Sequence, residues 1–287
     1  MAPQVVLITG CSAGIGLATA VCLAAEKQHE FKVYATMRNL GSKGKLEAAA
    51  GSSLNKTLFI RELDVTKQDT ISSVVDEILR ENGRIDVLVN NAGFSGVDAI
   101  DKRSIEWCQS LMDTNYWGVV RCTRAVLPPM KKQKSGRILN VSSVSGILGT
   151  PFYATYASSK FAVEGFSESI AAVLRDGYNI RVSIVEPGPV VTDLMTNLVT
   201  NLEEHAAGFN DDKLKEMYLA QAKNMQPIVD MVAQSTNEIA KLHLEIILSE
   251  NPHLRYQTSP AMTKMVADKL KDPTTDALLD ALKQYGS

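Results

Sequence analysis

Tyr156 and Lys160 stand four residues apart in the run YASSK, a serine pair closes GRILNVSS at Ser142 and Ser143, and Thr9 to Gly16 reads TGCSAGIG. On a helix, the i, i+4 spacing puts phenol and ammonium on one face. A lysine cation there favours phenolate over phenol and draws the tyrosine down from about 10 toward the working pH, where it can give and take a proton. Glycines between a strand and a helix let backbone N–H groups approach a pyrophosphate at the helix N-terminus. Together the motifs describe hydride transfer between a dinucleotide and an alcohol or carbonyl, with a phenol handling the proton instead of a histidine or a metal.

Such residues need a scaffold, and the chain supplies one. Short β-branched runs recur along its 287 residues: VVLIT, KVYATM, TLFIREL, IDVLVNNAG, GRILNVSS and IRVSIVEPG, with amphipathic stretches such as 16–27 and 67–81 between them. Continuous apolar runs without alternation mark parallel strands covered on both faces. The regular alternation of strand and helix predicts an α/β fold, a Rossmann-like doubly wound parallel sheet, in which LRYQT near Leu254 adds a seventh strand at the edge. Residues 1–287 read as a single domain. The alternation weakens after Thr192, and an insertion leaving the carboxyl end of a strand covers the ligand crevice of an open α/β sheet. Residues 192–230 are therefore read as a helical substrate lid. Met195, Met217, Met225 and Met231 suit either an adaptable apolar pocket or ordinary helix core, and Phe152 and Tyr153 offer a further wall.

Composition narrows the partners. A hydrophobic content of 45% is ample for a core, and a net charge of -2 leaves no footprint for nucleic acid or an anionic bilayer. Cys11, Cys22, Cys108 and Cys122 form no C-x-x-C pair and read as reduced thiols. With no signal-peptide pattern after Met1 and no run near the roughly 20 apolar residues of a membrane span, a cytoplasmic location is expected. Peripheral contact between the lid and a membrane surface stays open. His29, His205, His243 and His253 lack metal-ligand spacing, so no metal is expected.

The loop residues Thr9, Gly10, Ser12, Gly14, Ile15 and Gly16 are the candidate pyrophosphate contacts. A dinucleotide fold usually carries Asp or Glu at the end of its second strand for the adenosine ribose, but Met37, Arg38 and Asn39 stand there. Arg38 is either a solvated arginine or a planar fork for a 2′-phosphate, and the second reading selects NADP (NADPH) over NAD. Asp64 and Val65 end the third strand as candidates against adenine, and Asn91, Ala92 and Gly93 end the fourth on the ribose side.

In order along the chain, TGCSAGIG, NNAG, the asparagine of DTNYWG, NVSS, YASSK and the PG of 187–188 resemble the short-chain dehydrogenase/reductase family, over at least 3–192. The resemblance implies that Tyr156 is the acid/base, that Lys160 lowers its pKa and binds the nicotinamide ribose, and that Ser143 holds the substrate oxygen. Ser142 competes for that role, and the 13-residue distance to Tyr156 favours Ser143. Asn115 would hold a water joining Lys160 to solvent, unless it merely satisfies a helix bend. Pro187, Gly188, Val190 and Thr192 would contact carboxamide and pyrophosphate. VYATMRN, AVLPPMK and YASSKFAVEGFSES further resemble the branch holding the type 1 17β-hydroxysteroid and photoreceptor-type retinol dehydrogenases, which implies a lipophilic alcohol or carbonyl substrate, NADP and a homodimer through 117–130 and 156–174. Two departures stand out: Ala13 replaces a serine of the steroid enzyme, and no histidine lies near Tyr218 to Met225, which argues against efficient estrogen chemistry. A cofactor-binding sensor or scaffold is the alternative of another class.

Overall fold

In the computed structural model, which describes residues 2–98, 101 and 103–280, seven strands form one parallel sheet. They are β1 (Gln4–Ile8), β2 (Phe31–Met37), β3 (Leu58–Glu62), β4 (Val87–Asn90), β5 (Gly136–Val141), β6 (Ile180–Glu186) and β7 (Arg255–Gln257), in the order β3-β2-β1-β4-β5-β6-β7. The order reverses between β1 and β4, the point where an open α/β sheet parts to admit a ligand at its carboxyl ends. The helices are α1 (Gly14–Ala24), α2 (Gly44–Ala50), α3 (Gln68–Asn82), α4 (Ile105–Met112), α5 (Gly118–Gln133), α6 (Ala154–Tyr178), α7 (Asp193–Thr200), α8 (Leu202–Ala206), α9 (Asp212–Val232), α10 (Thr236–Leu248) and α11 (Pro260–Lys271).

Each face of the sheet has its own core, which is why the strand sequences do not alternate. On one face Val6, Ile8, Val33, Val89 and Leu139 pack under α1 and α10 through Leu23, Ile239 and Ile246. On the other, Val5, Leu7, Leu88 and Ile138 pack under α3, α5 and α6 through Ile78, Val126 and Leu174. His243 of α10 is fully buried against α1, its Nδ1 2.9 Å from Thr19 Oγ1, and burial pushes its imidazole down to about 4.

The boundaries differ from the sequence reading in one consistent way. β4 stops at Asn90 and β5 at Val141, so the polar tails of IDVLVNNAG and GRILNVSS leave the sheet and turn into the crevice. At the first turn, α1 starts at Gly14, two residues before the expected stretch. Residues 192–230 fall on α7, α8 and most of α9. From these, Ala206, Phe209 and Tyr218 form a third apolar cluster with Val97, against which Phe152 and Tyr153 pack. Among the described residues, no helix is long and apolar enough to cross a membrane.

Candidate active site

The catalytic candidates converge from three elements. Tyr156 and Lys160 lie on the first turns of α6, whose N-terminus is fixed by Asp98: Oδ2 accepts from the Thr155 backbone N–H at 2.9 Å and from its hydroxyl at 2.5 Å. Phe152, just upstream, holds a left-handed φ of 62°, and its carbonyl accepts from the Asp98 N–H at 2.7 Å. Such a conformation in a bulky residue is costly and persists only where surrounding contacts fix it. Here the Phe152 ring meets Phe209 and Tyr218 edge-on at 5.6 and 5.5 Å.

Ser142 and Ser143 follow β5 and point to different partners. Ser143 stands beside the Tyr156 phenol, and its Oγ accepts the Ser145 N–H at 3.1 Å. Ser142 Oγ is buried on the other side, where it and the Glu164 carboxyl flank the same point beside Gly146. Lys160 is buried, donates to the Val141 carbonyl at 3.0 Å and sits 5.6 Å from the centre of the Tyr156 ring.

The electrostatics correct one expectation. Burial pushes the Tyr156 phenol above its usual range, and hydrogen bonding with Ser143 pulls it part of the way back. Burial also pushes the Lys160 ammonium down to about 8, opposed by the negative charge of Glu164. Helical spacing alone predicts that Lys160 lowers the phenol. In a low-dielectric site desolvation disfavours the charged form of both groups.

Asn115 lies in a single π-helical turn, Asp113–Trp117, between α4 and α5. Its Oδ1 accepts the Phe94 N–H at 3.0 Å, and its Nδ2 donates to the Phe94 carbonyl at 2.9 Å and to Ser159 Oγ at 3.1 Å. The side chain is thus engaged in tying the loop after β4 to α6. A methyl added at Gly93 would lie 3.1 Å from Asn115 Oδ1 and 3.8 Å from Lys160 Nζ, which locates Asn115, Gly93 and Lys160 around one spot.

The cofactor candidates gather at the carboxyl ends of β1, β2, β3, β4 and β6. Thr9 Oγ1 accepts the N–H groups of Asn91 and Ala92, both at 3.0 Å, and Asn91 Nδ2 donates to the carbonyls of Thr9 and Gly10, both at 2.9 Å. Asn91 is therefore a strut for the glycine loop. Gly10 has φ +73°, and a Cβ there would meet Ala92 Cα at 2.7 Å, so this turn needs glycine. Gly14, at φ +61°, faces Thr192, whose Cγ2 would lie 3.3 Å from an added Cβ. Ser12 is half-buried beside them, Ile15 packs on the core under α1, and Gly16 closes against Gly10 and Asn91. No side chain caps Ala13 at the start of α1, which leaves the helix N-terminal N–H groups free for an anion.

Arg38 is exposed where β2 ends. It is close enough to Asp64 to act on its charge: burial raises the Asp64 carboxyl, but hydrogen bonds from Thr66 and the cations Lys67 and Arg38 hold it below its usual range. Val65 is buried, and its carbonyl accepts from Arg121 at 3.3 Å. After β6, the Pro187 carbonyl accepts the Val144 N–H at 3.0 Å, Gly188 packs on Met262, Val190 is buried, and the Thr192 hydroxyl caps α7 at Met195.

Three contributors escaped the sequence reading. Asp98 offered no signal beyond being an acid. Glu164 did carry one, standing four residues past Lys160 as Lys160 stands past Tyr156. Its partner Arg255 comes from β7, 91 positions away, and no local pattern joins them.

A doubly wound sheet with a glycine turn at its switch point, opposite a half-buried tyrosine and serine and a buried lysine, defines a dinucleotide-dependent oxidoreductase. Residues 4–203 match the family model described as short chain dehydrogenase. The chain belongs to this family of NAD(P)-dependent oxidoreductases acting on CH–OH groups. It is 42% identical to retinol dehydrogenase 8 of Bos taurus, covering 95% of this chain and 87% of the relative. It is 36% identical to 17-beta-hydroxysteroid dehydrogenase type 1 of Homo sapiens, covering 98% and 85%. Among solved structures, a short-chain dehydrogenase from Streptomyces avermitilis is similar at a TM-score of 0.78 and 26% identity, covering 99% of this chain and 97% of that one. ElxO with NADP bound follows at 0.72 and 26%, covering 90% and 98%.

Proposed function

We propose that the protein is an NADP-dependent reductase or dehydrogenase of a lipophilic alcohol/carbonyl pair resembling retinol and retinal. The observation that carries this reading is the likeness to retinol dehydrogenase 8 along 95% of the chain. The apolar cluster of Phe152, Phe209 and Tyr218 beside the Tyr156 turn supports it, because it suits a rigid hydrophobic substrate. In this reading 192–230 is the lid over that substrate, and 1–287 is one domain.

The residues at the crevice fit a dinucleotide: Gly10 and Gly14 in positive φ and an uncapped α1 N-terminus, while the exposed Arg38 at the end of β2 supports the choice of a 2′-phosphate. When bound, the nicotinamide supplies or accepts the hydride. Tyr156 gives its proton to the carbonyl oxygen in reduction, and a phenol kept neutral by burial is the form that task needs. Ser143 donates to the same oxygen as negative charge develops there. Lys160 returns the proton from the side of Asn115, and it would hold the nicotinamide ribose. Thr9, Ser12, Ile15 and Gly16 would border the pyrophosphate, Asp64 and Val65 the adenine, Asn91, Ala92 and Gly93 the ribose, and Pro187, Gly188, Val190 and Thr192 the carboxamide and pyrophosphate.

A second reading, a 17β-hydroxysteroid dehydrogenase, draws on the 36% identity over 98% of the chain. Tyr218 Oη and His205 Nε2, both buried without a hydrogen-bond partner among the described residues, are polar groups for a steroid's far hydroxyl. Comparing kcat/KM for all-trans-retinal, estrone and a small aromatic ketone with NADPH separates the readings. Retinal leading by tenfold or more supports the first, estrone leading supports the second, and the small ketone leading makes the enzyme a broad carbonyl reductase. NADPH binding without turnover of any carbonyl would instead mark a sensor. Trp117 just before α5 and Phe161 and Val173 on α6, exposed at 48, 41 and 66%, support a homodimer through these helices, and light scattering checks the mass.

A further inference from the structure

The catalytic candidates occupy the carboxyl ends of the strands, but a second constellation stands at the amino ends. Arg137 of β5 and Arg181 of β6 are direct partners in the parallel register. Paired residues on adjacent strands project from the same face about 4.8 Å apart, and like charges so placed repel. Among the described residues neither arginine has an ion pair. Arg137 Nη1 is buried with no hydrogen-bond partner, and Arg181 Nη2 meets only the neutral Asn251 Oδ1, at 3.3 Å. Burial, with Arg181 adding to it, holds the Arg137 guanidinium below its usual range.

Both side chains line a cleft of about 260 Å³, together with Gln4, Arg84, Asp86 and Glu250. Asp86 is already engaged, accepting from Arg84 Nε at 2.9 and 3.0 Å and from the Val5 N–H at 2.8 Å. Among the described residues lining the cleft, Glu250 is the carboxylate left for the two guanidinium groups, while Asp176, outside the lining, shares the charge of Arg181. Gln4 Oε1 is also buried without a partner.

Two donor forks and one orphan acceptor complement a phosphate monoester. Its oxygens accept from the arginines in the bidentate manner such pairs favour, and its remaining P–OH, present near a second pKa of about 6, can donate to Gln4. Sulfate and carboxylate satisfy the forks but bring no proton for the amide. We propose that this cleft binds a small phosphate-bearing metabolite through its phosphate group, at a site separate from the dinucleotide crevice.

The test uses the whole enzyme saturated with NADPH, so that the crevice is filled, and titrates it with inorganic phosphate, sulfate or acetate at matched ionic strength. Phosphate at roughly ten times its dissociation constant should raise the thermal midpoint by about 2–3 °C, and sulfate and acetate by less than half of that. Arg137→Gln and Arg181→Gln should abolish the rise and leave kcat/KM in phosphate-free buffer within about twofold. Glu250→Gln, which removes the competing carboxylate, should tighten phosphate about 3–10-fold, and it carries the test if an arginine variant fails to fold. No phosphate-specific rise in the wild type, an equal rise in Arg181→Gln, or a Glu250→Gln protein that is destabilised and indifferent to phosphate would overturn the proposal. The last result would make Glu250 the arginines' own counter-ion.

Discussion

Replacing Arg255 by methionine should destabilise the protein more at neutral-to-alkaline pH than in mild acid. Arg255 Nη1 pairs with Glu164 and, at 3.0 Å, with Glu186, while Nη2 reaches Glu168 at 3.3 Å. The Glu164 and Glu186 side chains are 6 and 0% exposed and Glu168 is 62% exposed, so the first two pairs matter and the third is screened. Removing one partner of a buried pair costs about 3–5 kcal/mol because the other charge loses its compensation. Burial pushes Glu164 from 4.5 up to about 7, with Glu186 adding to the rise and Arg255 opposing it. With the folded value above the unfolded one, the native chain binds the extra proton between those limits, and stability falls as pH rises through the window. At about pH 5.5 Glu164 is mostly neutral and only Glu186 loses a partner; at about pH 8 both do. The expected loss is about 3–5 kcal/mol at the higher pH and about 1–2 kcal/mol smaller at the lower. Urea melts followed by tryptophan fluorescence read both numbers, and adding Glu164→Gln should restore about 1–2 kcal/mol at the higher pH only. Equal losses at the two pH values, or a loss below about 1 kcal/mol at the higher, would refute the reasoning.

His243 runs the opposite way. Its imidazole falls from 6.5 to about 4 on burial, so the native state excludes the proton and stability is lost as pH drops through that window, by about 3 kcal/mol in all. His243→Gln should flatten the acid limb of the stability curve, measured by melts at several pH values, while leaving the Glu164 limb in place. Gly10→Ala, which forces a methyl within 2.7 Å of Ala92 Cα at positive φ, should cost about 1–3 kcal/mol and weaken NADPH at least tenfold in a fluorescence titration. Arg38→Ala should weaken NADPH about 10–100-fold and NADH by less than about threefold, and equal losses would remove its phosphate role.

How much was legible in the chain depends on range. The central strands could be read because burial on both faces writes itself locally as VVLIT or VLVN, and the glycine turn because Gly10 occupies a conformation that few other residues tolerate. The tyrosine–lysine face followed from helical spacing alone. Its electrostatics did not, since spacing reports who is adjacent but not how deeply Lys160 and Tyr156 are desolvated. Asn115 illustrates a second limit: its role came only from the family resemblance, and the π-turn and the contacts with Phe94 and Ser159 that decide where its amide points carry no local sequence pattern. The Arg255 and Asp98 contacts join segments that are distant in sequence, and no periodicity encodes them.

The claim on which the rest depends is that the Tyr156 phenol supplies the proton in carbonyl reduction. The direct measurement pairs NADPH affinity with all-trans-retinal turnover for wild type and Tyr156→Phe. The account predicts affinity within about twofold and turnover lower by about 10²–10⁴-fold, the usual contribution of one positioned acid. Turnover within tenfold of wild type, with the cofactor bound normally, would contradict it.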